Sequence, residues 1–104
     1  MELDLVVRNG KVVTATDTME CDIGVRNGQI VALSERLETK NSDIIEADGR
    51  WVTPGGVDAH CHLDQPSTDG SKAADDFLTG TRSALAGGTT TVIPFAFQFR
   101  GQSL

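Results

Sequence analysis

The chain has 104 residues, 38% hydrophobic and 23% charged, which fits one ordinary domain with a moderate core and excludes a low-complexity protein. Its formal net charge of −6 argues against nucleic acid or an anionic membrane as partner, since both need clustered Lys and Arg. The start, Met1-Glu2-Leu3-Asp4-Leu5, lacks the pattern of a signal peptide, and no apolar run is long enough to span a bilayer. Cys21 and Cys61 have neither metal-site spacing nor a disulfide-rich setting, so two buried free thiols in a cytoplasmic protein are expected.

Residues 1–53 read as short strands joined by tight turns. Asn9-Gly10 and Asn27-Gly28 are each flanked by β-branched residues, and Asn-Gly favours the type I′ turn of a hairpin. The flanks repeat: Val7-Arg8-Asn9-Gly10-Lys11-Val12-Val13 returns as Val25-Arg26-Asn27-Gly28-Gln29-Ile30-Val31. Two copies predict paired hairpins of a small β-sandwich, not a solenoid. Ile44–Ala47 and Trp51-Val52, around Asp48-Gly49, predict a third hairpin.

From residue 54 to 104 the pattern changes. Gly55-Gly56 predicts a sharp loop, Val57 to His62 a strand, and Leu63 to Lys72, with Pro66, Asp69 and Gly70, a loop. A helix is expected from Asp75 or Asp76, whose carboxylates suit an N-cap. Phe77, Thr81, Ala84 and Leu85 share one helical face, at spacings of four, seven and eight. Gly80 weakens the helix by roughly 1 kcal/mol relative to Ala, and Gly87-Gly88 supplies a left-handed stop. Thr89 to Ile93 is then a β-branched strand, ended or bulged by Pro94. Phe95, Phe97 and Phe99 alternate beyond it and predict an aromatic face that packs against further barrel strands, not a binding stripe.

Strand, loop, helix and strand in that order make a βαβ unit with parallel strands and a right-handed crossover. His60 and His62 fall where the first strand ends. Side chains alternate along a strand, so the two imidazoles point one way and Cys61 the other, which removes Cys61 as a third ligand. Two imidazoles on one face can hold one metal ion, most naturally zinc. The C-terminal end of a parallel strand is also where (β/α)8 barrels place their active sites.

Pro54-Gly55-Gly56-Val57-Asp58-Ala59-His60-Cys61-His62-Leu63-Asp64-Gln65-Pro66 closely resembles the opening of the metal-dependent amidohydrolase superfamily. Ala74-Asp75-Asp76-Phe77 and Gly80-Thr81-Arg82-Ser83-Ala84-Leu85-Ala86-Gly87-Gly88-Thr89-Thr90 narrow the resemblance to the dihydropyrimidinase and hydantoinase branch. It implies an α/β fold, the start of a (β/α)8 TIM-type barrel preceded by part of a small β-sandwich. It also implies two zinc ions bridged by a carboxylated lysine, a cyclic amide or imide substrate, and a homotetramer in full-length relatives. The implied reaction opens a dihydropyrimidine or hydantoin ring to an N-carbamoyl amino acid.

By motif position, His60 and His62 bind the first metal. Asp58, on the same strand face by period two, either orients one of the imidazoles or is an ordinary carboxylate at the strand's entry. Asp64, Gln65 and Ser67 lie in the loop that lines the family's substrate pocket. Many hydantoinases are apolar there, so Gln65 and Ser67 point to a small ring such as dihydrouracil.

The family's bridging lysine, two further histidines and late aspartate have no counterpart, because Lys11, Lys40 and Lys72 lie elsewhere and both histidines are already assigned. No catalytic residue is expected within these 104 residues, and a full barrel takes roughly 250. The expectation is an N-terminal segment that is inactive and poorly folded alone. The competing readings are a non-catalytic scaffold of the same fold, which the intact histidine pair opposes, and a truncated remnant.

Overall fold

Valine-rich β1, Leu5–Val13, is the centre of the first half of the chain. The computed structural model describes residues 2–103 and divides them between Pro54 and Gly55 into two compact units. In the first unit, β1 pairs antiparallel with β2 (Thr18–Arg26), which pairs antiparallel with β3 (Gln29–Ser34). On its other edge β1 pairs in parallel with β4 (Asp43–Glu46) and β5 (Trp51–Val52). The result is one five-stranded sheet in the order β3-β2-β1-β4, with β5 also on β1. Val12, Cys21 and Ile23 are buried together, with Val7, Met19, Val25 and Val52 packed against them.

Of the three predicted hairpin turns only one forms. Asn27 and Gly28 take φ of 50° and 73°, and Arg26 pairs with Gln29 across them. At Asn9-Gly10 the strand runs straight on. Val7 pairs with Ile23 and Gly10 with Cys21, so β1 carries one extra residue in a bulge, with Asn9 at φ 53°. The β1–β2 connection lies further on, where the Thr14 N–H donates to the Asp17 carbonyl at 2.8 Å.

The third hairpin is likewise absent, because β4 and β5 both run alongside β1 and not against each other. Asp48 and Gly49, at φ 52° and 75°, make a jog opposite the bulge, where the Gly49 N–H donates to the Asn9 carbonyl at 2.8 Å.

A buried carboxylate holds the bulge. Asp22, only 2% exposed, accepts the Asn9 N–H through Oδ1 and the Leu37 N–H through Oδ2, each at 2.9 Å. Burial, and after it the neighbouring Asp22 charge, push the Cys21 thiol up from its ordinary value. Cys61 is also free but only half-buried, which corrects the expectation of two buried thiols.

The second unit is the expected βαβ: β6 (Gly56–Cys61), α1 (Phe77–Ala86) and β7 (Thr89–Pro94), with β6 and β7 parallel. Only Gly55 of the predicted Gly55-Gly56 loop lies in irregular backbone. Gly56 opens β6, and a Cβ on Gly55 would lie 1.9 Å from Thr90 Oγ1. The loop after β6 is folded back by the Asp64 N–H, which donates to the Asp75 carbonyl at 2.9 Å.

Asp76 caps α1. Its Oδ1 accepts the Thr79 N–H at 2.8 Å, while Thr79 Oγ1 accepts the Asp76 N–H at 3.1 Å, a reciprocal capping box. This hydrogen bond holds the Asp76 carboxyl below its ordinary value. Asp76→Ala is expected to cost about 1 kcal/mol, read as faster amide hydrogen exchange in the first turn of α1. Exchange no faster than in the unmutated chain would refute the cap's contribution.

The face of α1 shared by Phe77, Thr81, Ala84 and Leu85 is left largely uncovered by the described residues. Phe77 and Leu85 remain 51% and 64% exposed, and the buried helical residue is Gly80. A Cβ at Gly80 would meet Leu63 Cδ2 at 2.3 Å, so this glycine is a point of close approach and not simply a weak spot. Gly88, at φ 91°, provides the left-handed stop after the C-cap Gly87.

Pro94 ends β7, so Phe95, Phe97 and Phe99 follow the strand and do not lie in it. Phe95 and Phe97 are 52% and 39% exposed. Among the described residues, no helix is long and apolar enough to cross a membrane.

Candidate metal centre

His60 lies in β6 and His62 one residue beyond its end, and both are exposed. Their ring centroids are 5.5 Å apart with planes inclined at 56°. The parallel register of β6 and β7 sets Cys61 opposite Pro94, and the Phe95 N–H donates to the Cys61 carbonyl at 2.9 Å. This brings the Phe95 ring beside both imidazoles. It stacks on His62 at 4.8 Å between centroids with planes 13° apart, and lies 5.7 Å from His60 at 50°.

Gln65, half-buried in the loop after β6, places its Oε1 in hydrogen-bond contact with His62 Nδ1. Asp58 has a different partner from the imidazole considered for it. Its Oδ1 accepts the backbone N–H of His60 at 3.0 Å.

The other loop residues hold the segment in shape. Asp64 adopts φ 48°. Ser67 Oγ donates to Asp69 Oδ1 at 2.6 Å, and hydrogen bonds from Ser67 and Ser71 lower the Asp69 carboxyl to about 2. A hollow of about 440 Å³ opens beside His62, lined among others by Gln65, Ser67, Lys72 and Phe97. Asp64 lines a neighbouring hollow of about 350 Å³ instead.

Zinc takes nitrogen, sulfur and oxygen donors, usually four, and neutral imidazole is a good ligand for it. His60 and His62 therefore fit as two donors to one ion. Among the described residues no third His, Cys, Asp or Glu joins them. Sequence reasoning missed Phe95 as a neighbour of the histidines, because only the strand pairing brings the end of β7 to the end of β6. It also missed Asp22, whose one signal is a carboxylate set directly between apolar Cys21 and Ile23.

Residues 51–100 match the model of the amidohydrolase family. A D-hydantoinase from Geobacillus stearothermophilus is 41% identical over 99 residues, covering 95% of this chain and 21% of that protein. A dihydropyrimidinase from Rattus norvegicus is 51% identical over 61 residues, covering 59% of this chain and 12% of that protein. The crystal structure of D-hydantoinase from Bacillus sp. AR9 superposes with a TM-score of 0.88 at 42% identity, covering 97% of this chain and 22% of that one.

The parallel β6–β7 pair with its histidines is thus the start of a (β/α)8 barrel, and the chain belongs to the amidohydrolase family, whose members are generally metal-dependent. Within that family it falls in the hydantoinase and dihydropyrimidinase branch. It spans about a fifth of the length of the relatives it matches.

Proposed function

We propose that this chain supplies the first-metal histidines of a zinc-dependent hydrolase that opens a cyclic amide, a dihydropyrimidine or hydantoin ring, to an N-carbamoyl amino acid. The observation that carries the reading is the pair of neighbouring imidazoles of His60 and His62 at the C-terminal end of parallel β6. When bound, the metal polarises the scissile carbonyl and makes water a stronger nucleophile at neutral pH.

The chain's own residues do the rest of what can be assigned to it. His60 and His62 would hold the ion. Asp58 ties down the backbone at His60, which fixes where that imidazole leaves the strand. Gln65, Ser67 and Lys72 give the hollow beside His62 a polar wall that suits the amide and carbonyl edges of a small ring, dihydrouracil before a bulky aromatic hydantoin.

Two imidazoles leave half of a zinc ion's usual four positions to other donors, so a polypeptide of these 104 residues is expected to bind zinc without turning over substrate. The test compares zinc retained by the chain and by the His60→Ala/His62→Ala double variant, with dihydrouracil ring opening assayed in parallel. About one equivalent of zinc is expected to fall to near zero in the variant, with no ring opening by either. Equal zinc in both would refute the metal reading and favour a non-catalytic scaffold. Ring opening by the 104-residue polypeptide would refute the expected inactivity.

A further inference from the structure

We propose that Gln65 is a positioning residue that selects the tautomer of His62 within a ring plane set by Phe95. The inference rests on the reading of His60 and His62 as metal ligands and deepens it.

Phe95 lies nearly parallel to His62 at 4.8 Å, so the imidazole cannot turn out of that plane without losing the stack. Stacking alone leaves two choices, because rotating the ring by half a turn keeps its plane and exchanges the positions of its edges. The Gln65 contact removes that choice. An amide oxygen can only accept, so Nδ1 must carry the hydrogen and Nε2 keeps the lone pair. The nitrogen left free is the one farther from the backbone, available to an ion.

The geometry of the loop supports the contact. Asp64 at φ 48°, with its N–H on the Asp75 carbonyl, folds the chain back just before Gln65. His60 is an internal control. It lies 5.7 Å from Phe95 at a steep tilt, and among the described residues its ring makes no side-chain hydrogen bond. Replacing Gln65 should therefore act on one histidine and spare the other, a pattern that a general loosening of the fold would not give.

The experiment uses the full 104-residue chain, labelled with ¹⁵N and held metal-free well above the ordinary imidazole pKa of about 6.5. Long-range proton–nitrogen spectra then report which ring nitrogen carries the hydrogen. The unmutated chain should show His62 with Nδ1–H. Gln65→Leu should move His62 toward Nε2–H and leave His60 unchanged. Gln65→Glu keeps an acceptor at the same place and should retain the Nδ1–H form. Circular dichroism checks that each variant keeps the fold.

Titration with zinc chloride is the second arm. Gln65→Leu should weaken zinc binding at least about tenfold, the usual effect of losing a ligand's supporting hydrogen bond, and Gln65→Glu should not. A His62 tautomer that is the same in Gln65→Leu as in the unmutated chain overturns the proposal. So does a shifted tautomer with unchanged zinc affinity. If the unmutated chain shows the expected tautomers but binds no zinc, the metal reading fails and the selection by Gln65 stands.

Discussion

Replacing Asp22 by alanine is expected to destabilise the first unit by about 3 kcal/mol. Its carboxylate accepts two backbone N–H groups, from Asn9 and Leu37, at a position almost closed to water. Each hydrogen bond to a charged group contributes roughly 1.5–3 kcal/mol, and a buried donor left without an acceptor costs a similar amount. The cost of burying the carboxylate partly offsets the sum.

Three kcal/mol matters here because a core of this size supplies only about 3–5 kcal/mol in total. Trp51, the single tryptophan, sits in β5 on the β1 edge and reports on this unit. Urea unfolding followed by its fluorescence should show the Asp22→Ala midpoint moved to much lower denaturant, with a partly unfolded population already present in its absence. Asp22→Asn, which keeps one acceptor oxygen but turns an NH2 donor toward the other N–H, should lose more than half as much but less than Asp22→Ala. An Asp22→Ala midpoint equal to that of the unmutated chain would refute the role of this carboxylate.

Gly55→Val is expected to disrupt the β6–β7 pair. Even the first added carbon would stand 2.6 Å from Thr90 Cβ, 2.3 Å from its Cγ2 and 1.9 Å from its Oγ1. A side-chain rotation can move Oγ1 and Cγ2 away, but Cβ is fixed to the backbone of β7. The strands themselves must therefore separate, a cost at or above the usual 1–3 kcal/mol of overpacking.

Amide hydrogen exchange along β6 and β7 should accelerate about tenfold to a hundredfold, since each 1.4 kcal/mol is a factor of about ten where exchange follows opening. Because His60 lies in β6 and Phe95 follows β7, the His62–Phe95 stack should be lost with the pairing. Gly55→Ala combined with Thr90→Gly removes the clash and should recover most of the loss. Failure of that double change to recover protection would show that the close approach is not the cause.

The second unit was largely legible because its signals are local. Asp76 caps the next residue's helix, Gly88 stops it, and the β-branched run Thr89 to Ile93 forms a strand. The histidine pair was legible for the same reason, as period two needs only a strand. Gln65 and Phe95 were not legible as neighbours of His62. One reaches it through a loop folded back by an Asp64–Asp75 hydrogen bond, the other through the pairing of two strands. The apolar face of α1 was legible as a face but its covering was not, because periodicity tells which residues share a face, and not whether anything lies over it.

The repeated Val-Arg-Asn-Gly motif marks the boundary between local and tertiary control most clearly. By itself the sequence determined that both asparagines, Asn9 and Asn27, take a left-handed conformation, at φ 53° and 50°. A short polar side chain tolerates that region without help from distant residues. Only the tertiary structure decided what each Asn-Gly pair became. At Asn27 the chain turns back on its neighbour, and Gly28 follows at φ 73°. At Asn9 the Asp22 carboxylate takes the N–H on one side, the Gly49 N–H takes the carbonyl on the other, and the strand continues as a bulge. The physical reason is that local sterics set the torsion angles of one residue, while the direction of the chain beyond it depends on which distant groups satisfy its backbone.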